Sequence, residues 1–302
     1  MFIKGLEKCS KLEELSLENN LIQSLNGLES LENLRKLNVN NNEIIYYDES
    51  LGKNEANVRN WDLTLNRLTY LAISNNKLLS IRFLQKFPSI VEFYASFNQL
   101  KNIRDIFHLK SLNSLAVLDL WCNPMCTDQK YRLFVIYHLK NLKSLDGSSI
   151  EPTELIEAKD LFGGKLTCDF IAEKFFHSKF HEIKTMEFPQ CGIRQVDFGH
   201  TINVNYLDQF DNLRSLNLEN NSLISFSGII YLKNLKILCL NNNKVECIFS
   251  KSKSNNNQNL SMEHILPCLE VLHLAYNGIT DIAALQIGRL TSLKALFLQG
   301  MP

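Results

Sequence analysis

The sequence predicts an α/β solenoid of two tandem arrays, each a horseshoe of short parallel strands with the sheet on its concave face. Three observations carry that prediction. One phrase, Leu-x-x-Leu-x-Leu-x-x-Asn-x-apolar, recurs along the 302 residues. Its copies stand 22 residues apart from Leu12 to Leu34, from Leu68 to Ile90 and from Leu213 to Leu235. The recurrence lapses once, in mid-chain, and then resumes. Self-similarity at such a period means stacked units, none of which can bury its apolar face alone.

The first array opens with Leu12, Leu15, Leu17, Asn20, Ile22 and repeats as Leu34, Leu37, Val39, Asn42, Ile44. Leu68, Leu71, Ile73, Asn76, Leu78 follow, then Ile90, Phe93, Ala95, Asn98, Leu100, then Leu115, Leu118, Leu120, Asn123, Met125. Leu-x-Leu alternation makes a short strand whose leucines point inward and whose intervening residues point out. An Asn side chain carries both donors and an acceptor, which suits it to satisfy backbone groups where each strand turns. The asparagines are therefore structural, and the pattern is that of a leucine-rich repeat.

Between strands, Gly5-Leu6-Glu7, Gly27-Leu28-Glu29 and Gly228-Ile229-Ile230 occupy equivalent places on the convex side. Leu34 to Leu68 and Leu235 to Leu269 are each 34 residues, so two equivalent repeats carry 12-residue insertions. The earlier insertion contains Trp61, which is placed to pack. The later one, within about 247–268, runs Ser250-Lys251-Ser252-Lys253-Ser254-Asn255-Asn256-Asn257 and reads as a low-complexity loop.

After the fifth copy come Asn123-Pro124, Tyr131-Arg132, Val135-Ile136, Leu139, Leu142, Leu145-Asp146-Gly147 and Ile150. This segment resembles the C-terminal cap of intracellular leucine-rich repeat proteins of the phosphatase-regulatory and dynein-assembly class. The resemblance implies that residues 123–150 end the first array with a helix and a tight turn. Trp121 and Met125 fit an apolar seal there, and Asp146-Gly147 is a turn signal in its own right. Residues 1–150 are then the first array with its cap.

Pro152 to Lys159 should be helical, with Pro in the first turn, and Gly163-Gly164 should break it. Thr167 to His181 reads as a second helical stretch, so 151–182 is expected to be a helical connector. Residues 183–302 form the second array. It starts imperfectly with Ile183, Met186, Phe188, Cys191, Ile193, Cys standing where Asn is expected. Copies at Leu213–Leu223, Leu235–Val245 and Leu269–Ile279 are cleaner, and Leu293, Leu296, Leu298 form a short last copy. Both ends read as cut, which leads us to expect a fragment or short isoform of a longer multi-repeat protein.

Composition narrows the function. Lys plus Arg and Asp plus Glu are both 32, so the formal charge is zero, without a basic footprint for nucleic acid or anionic membrane. No apolar run reaches the length of a membrane span, and the start has no signal-peptide pattern, so the eight cysteines read as reduced thiols. His177 and His181 stand four apart, but residue 178 is Ser where a zinc hydrolase motif needs Glu. Cys122 and Cys126 have no second Cys/His pair nearby, and Gly163-Gly164-Lys165 lacks the rest of a phosphate loop. Asn220-Asn221-Ser222 and Asn259-Leu260-Ser261 match the glycosylation sequon, to which a chain without a signal peptide is not exposed. The expectation is no enzyme, no cofactor, no metal and no small-molecule substrate.

What remains is a surface for protein partners. The outward positions of the first array collect acidic and aromatic residues, of which Tyr70, Glu92, Tyr94, Asp119 and Trp121 are the candidate partner-binding set. Tyr and Trp give large, rigid contact area and dominate binding hot spots. The second array offers a more apolar face around Ile237, Val271 and Phe297. The resemblance implies a non-enzymatic scaffold in the cytoplasm, with cilium and nucleus left open and ciliary or cytoskeletal assembly as the setting. A regulatory subunit of a type-1 protein phosphatase is the alternative. A ribonucleoprotein adaptor comes third, since Lys36 alone makes no basic stripe.

Overall fold

In the computed structural model, which describes residues 3–46, 61, 63–175, 179–198, 200–201, 204–205, 210–247, 265–285 and 287–300, the Leu-x-Leu phrases form short strands. The chain divides into two compact units, Met1–Phe162 and Gly163–Pro302. Each strand stack is an α/β solenoid of the leucine-rich repeat type.

In the first unit, β1 (Glu14–Ser16), β2 (Lys36–Asn38), β3 (Tyr70–Ala72), β4 (Glu92–Tyr94) and β5 (Val117–Asp119) pair in parallel and in sequence order. β6 (Ser144–Leu145) continues the parallel sheet and β7 (Ser148–Ser149) closes it antiparallel. The central strand positions Leu37, Leu71, Phe93, Leu118 and Leu145 are all fully buried. The 34-residue interval does not disturb the register, because Leu37 still faces Leu71. Trp61 is buried with its ring 4.9 Å from Tyr46 and 4.5 Å from Phe83. The rest of that insertion, and most of the later one, lies outside the described residues.

Asparagine links each repeat to the one before it. Asn98 donates from Nδ2 to the carbonyls of Ala95 and Ser96 in its own turn and of Ile73 in the preceding repeat. Its Oδ1 accepts the Leu78 N–H at 2.9 Å. Asn42, Asn76, Asn221, Asn243 and Asn277 make the same kind of connection. The residue just before is left-handed each time, as at Asn41, Asn75, Phe97, Cys122, Asn220, Asn242 and Tyr276. A buried polar group left unpaired costs roughly 1–3 kcal/mol, so four bonds from one side chain explain why this position keeps Asn. Cys191 departs from the pattern where β9 (Thr185–Glu187) is the outermost strand of its sheet, with no preceding strand for an Asn to reach. Asn20, on the outermost strand of the first sheet, is exposed and bonds only its own turn.

Two of the convex glycines, Gly27 and Gly228, are required by close approach. Gly27 has φ of +106°, and a Cβ there would lie 2.2 Å from the Ile3 carbonyl oxygen; Gly228 meets the Val196 oxygen in the same way.

The cap is held by α1 (Tyr131–His138) and α2 (Pro152–Phe162). Arg132 on α1 donates to the Leu145 and Ser149 carbonyls of the β6–β7 turn, and to both carboxylate oxygens of Glu154 on α2. That ion pair raises Arg132 above its ordinary value and lowers Glu154. Glu154 also accepts the Glu151 N–H, which closes the start of α2. Phe162 packs edge-on to Phe134, so α2 belongs to the first unit. The expected connector 151–182 is therefore divided at Phe162/Gly163. Met125 is buried as the seal requires, whereas Trp121 is 57% exposed and seals nothing.

At the start of the second unit, the left-handed turn at Gly164 brings it against Arg194. β8 (Lys165–Leu166) pairs in parallel with β10 (Gln195–Val196), and α3 (Cys168–Phe175) is shorter than the stretch expected to reach His181. His177 lies outside the described residues, and His181 is exposed in a 3-10 turn. β11 (His200–Thr201) and β12 (Val204–Asn205) form a small antiparallel pair. The main sheet runs β9, β13 (Ser215–Asn217), β14 (Ile237–Cys239), β15 (Val271–His273) and β16 (Ala295–Phe297), all parallel.

Candidate functional site

Register turns the outward side chains of the first sheet into rows. Glu14, Lys36, Tyr70, Glu92 and Val117 form one row; Ser16, Asn38, Ala72, Tyr94 and Asp119 form the next. Strands in a sheet lie about 4.8 Å apart, so neighbours in a row are in reach of each other.

The tyrosines meet across these rows, with ring centroids 5.4 Å apart at 44°. Tyr94 donates its hydroxyl to Glu92 Oε2 at 2.9 Å. Burial, with the Glu92 carboxylate accepting that proton, pushes Tyr94 up to about 12, so it stays a neutral donor at physiological pH. Ala72 was expected on this face and is buried to 1%, because its methyl lies between Asn38 and Tyr94 on the adjoining strands.

Asp119 Oδ1 accepts the Trp121 N–H at 3.0 Å. Trp121 then stands in open solvent with its ring perpendicular to Phe97, at 5.5 Å between centroids. Phe97 is 52% exposed and was absent from the sequence-derived set. A signal for it was present. Asn19, Asn41 and Asn75 occupy the equivalent turn position and chain together through their side-chain amides, and Phe97 ends that chain with an aromatic ring.

The charge on this face is uneven. Lys36 is bound to Glu14 at 2.8 Å, which raises it above its ordinary value. Glu18 accepts from Asn38, Glu92 from Tyr94 and Asp119 from Trp121, none of these donors being a cation. The five candidate residues thus lie on three neighbouring repeats, as a tyrosine pair, two carboxylates and an exposed indole. Chemically these residues offer aromatic faces and hydrogen-bond acceptors.

The second sheet presents a different surface. Ile237 is 43% exposed, and His273 stacks flat on Phe297 at 4.4 Å. Cys239 is half-buried and its thiol is pushed up by that burial. Tyr276, at the position equivalent to Phe97, is exposed. Among the described residues no group of three His, Cys, Asp or Glu is placed to hold a metal ion, and all eight cysteines are free thiols. Among the same residues no helix is long and apolar enough to cross a membrane.

Residues 54–175 match the leucine-rich repeat family. The chain is 34% identical over 103 residues to human U2 small nuclear ribonucleoprotein A', covering 33% of this chain and 40% of that protein. It is 33% identical over 161 residues to the Arabidopsis thaliana protein of the same name, covering 51% of this chain and 59% of that one. The chain therefore spans between two fifths and three fifths of these curated relatives. Among solved structures, a chain of the Drosophila melanogaster SNF/U2A' complex aligns with a TM-score of 0.44 and 20% identity, over 53% of this chain and 93% of that one.

Proposed function

We propose that this leucine-rich repeat chain is a protein-binding scaffold that holds its partner on the strand face of the first unit, through Tyr70, Glu92, Tyr94, Asp119 and Trp121, with Phe97 added. The observation that carries this reading is the exposed Phe97–Trp121 pair beside the carboxylates. Large aromatic rings left in water next to carboxylates with spare acceptor capacity are what a docked protein covers. The neutral composition and the carboxylates on this face argue against RNA there, where Lys36 is bound to Glu14.

A second reading draws on the relatives, which are ribonucleoprotein constituents by name. Here the chain is an adaptor inside a ribonucleoprotein, and its strand face still meets protein. The setting is then nuclear, not cytoplasmic or ciliary. The two-array layout and the Phe162–Thr167 connector also resemble leucine-rich repeat-containing protein 9, a large intracellular protein, which keeps a ciliary or cytoskeletal scaffold in contention.

Affinity purification with mass spectrometry separates these readings. The native chain is compared with a Tyr70→Glu, Tyr94→Glu variant and with Phe97→Ser, Trp121→Ser, whose side chains are exposed enough to leave the fold intact. Ribonucleoprotein proteins lost from both variants support the adaptor. Axonemal or cytoskeletal proteins lost in the same way support the scaffold, and a type-1 phosphatase catalytic subunit supports the regulatory alternative. Partners retained equally by both variants would place the binding surface elsewhere.

A further inference from the structure

Glu92 and Asp119 sit among four aromatic rings, and among the described residues neither is hydrogen-bonded to a cation, a combination that has a chemical complement. Tyr70 and Tyr94 face each other on adjacent strands, and Phe97 and Trp121 meet edge to face at the strand ends. Among the described residues, each carboxylate is bonded by one neutral donor, a hydroxyl for Glu92 and a backbone amide for Asp119. A carboxylate accepts several hydrogen bonds, so most of this acceptor capacity faces outward. Lys36, one row position beyond Tyr70, is bound to Glu14 and reaches Glu92 only through its charge.

We infer that this face is shaped for a basic segment of a protein partner, with an arginine seated between the Trp121 ring and the Asp119 carboxylate. This inference rests on the docking reading given above and names the chemistry of its occupant. Charge complementarity selects the cation: a lysine- or arginine-bearing segment meets two carboxylates that no cation bonds among the described residues, while an acidic segment meets repulsion. The exposed rings then select arginine over lysine. A guanidinium stacks flat on an indole and still donates in its own plane to a carboxylate beside it, which an ammonium does not match. Glu92 has its free oxygen for a second basic residue, and the tyrosine pair offers a ring surface for the segment's aliphatic stems.

The test is fluorescence anisotropy on the full chain with three labelled peptides: an arginine-rich probe, its lysine twin and its glutamate twin. Binding is expected in that order, with none for the glutamate twin. Glu92→Gln with Asp119→Asn should weaken the arginine probe about tenfold. Glu157→Gln with Asp160→Asn removes the same charge from exposed positions on α2 and should change binding less than about twofold. Trp121→Ala should cost the arginine probe about tenfold and the lysine twin clearly less. Equal losses from the two charge-removing pairs, or binding of the glutamate twin, would overturn the inference. Should natural partners be lost from the strand-face variants while the arginine probe shows no preference, the docking reading survives and the basic occupant falls. Partners indifferent to those variants remove both.

Discussion

The interiors of the two sheets are interchangeable and their outer faces are not. Leu37, Leu71, Phe93 and Leu118 in the first unit, and Met186, Leu216, Leu238 and Leu272 in the second, are all fully buried. Each sheet is laced by the same asparagine bonds. Outside, the first presents paired tyrosines, carboxylates and an exposed indole, while the second presents Ile237, Cys239, His273 and Phe297. Inward positions answer to packing and backbone satisfaction, which are the same in every repeat. Outward positions are released from those shared constraints, and there the two faces diverge.

The largest test of the shared interior is the ladder. Asn98→Ala leaves the Leu78 amide and three carbonyls without their partner and should destabilise the first unit by about 4 kcal/mol. Cys191→Ala, at the equivalent but exposed position of the second unit, should change stability by less than about 0.5 kcal/mol. Urea titration of each variant reads the contrast. Comparable losses at both sites would break the account of why Cys191 is tolerated.

Glycine gives a smaller contrast. Gly27→Ala and Gly228→Ala force a Cβ onto a carbonyl oxygen and should each cost about 2–3 kcal/mol. Gly147→Ala, left-handed but in open space, should cost about 1 kcal/mol.

A third test separates the units by pH. His138 on α1 is held at about 3, by burial first and by the Lys110 charge second. The folded unit therefore binds fewer protons than the unfolded chain at every pH between that value and the ordinary histidine range. Its contribution is fully present above about 6.5 and is lost as pH falls, with a slope of at most about 1.4 kcal/mol per pH unit. His138→Phe should flatten the acid side of a stability–pH curve for the first unit.

The smallest stability effect belongs to the outer face. Trp121→Ala and Ile237→Ala should each shift unfolding by less than about 0.5 kcal/mol. Partner binding to the first face should fall for Trp121→Ala and stay unchanged for Ile237→Ala.

The strands β1–β5, β9 and β13–β16 were legible because Leu-x-Leu periodicity is a local signal that each repeat restates. Helix α2 was legible from Pro152 and Gly163. The two small sheets were not, since β8 and β10 lie in separate segments brought together only by packing around Gly164 and Arg194. Of the candidate face, Tyr70, Glu92, Tyr94, Asp119 and Trp121 could be placed by alternation alone. Burial of Ala72 and exposure of Phe97 could not, because each depends on what the adjoining strands carry, not on the residue's own position in the phrase.

Because strand order follows chain order in both main sheets, each repeat is bonded only to those before and after it. Under tension applied along the chain, such a stack has, among the described residues, no long-range clasp that must break all at once. It sheds its turns singly, like coils leaving a spool. Each ordinary turn of 22 residues frees about 75 Å of chain, and each enlarged turn of 34 residues frees about 115 Å. The two 34-residue intervals, silent in the sheet register, thus give the longer steps when the molecule is pulled.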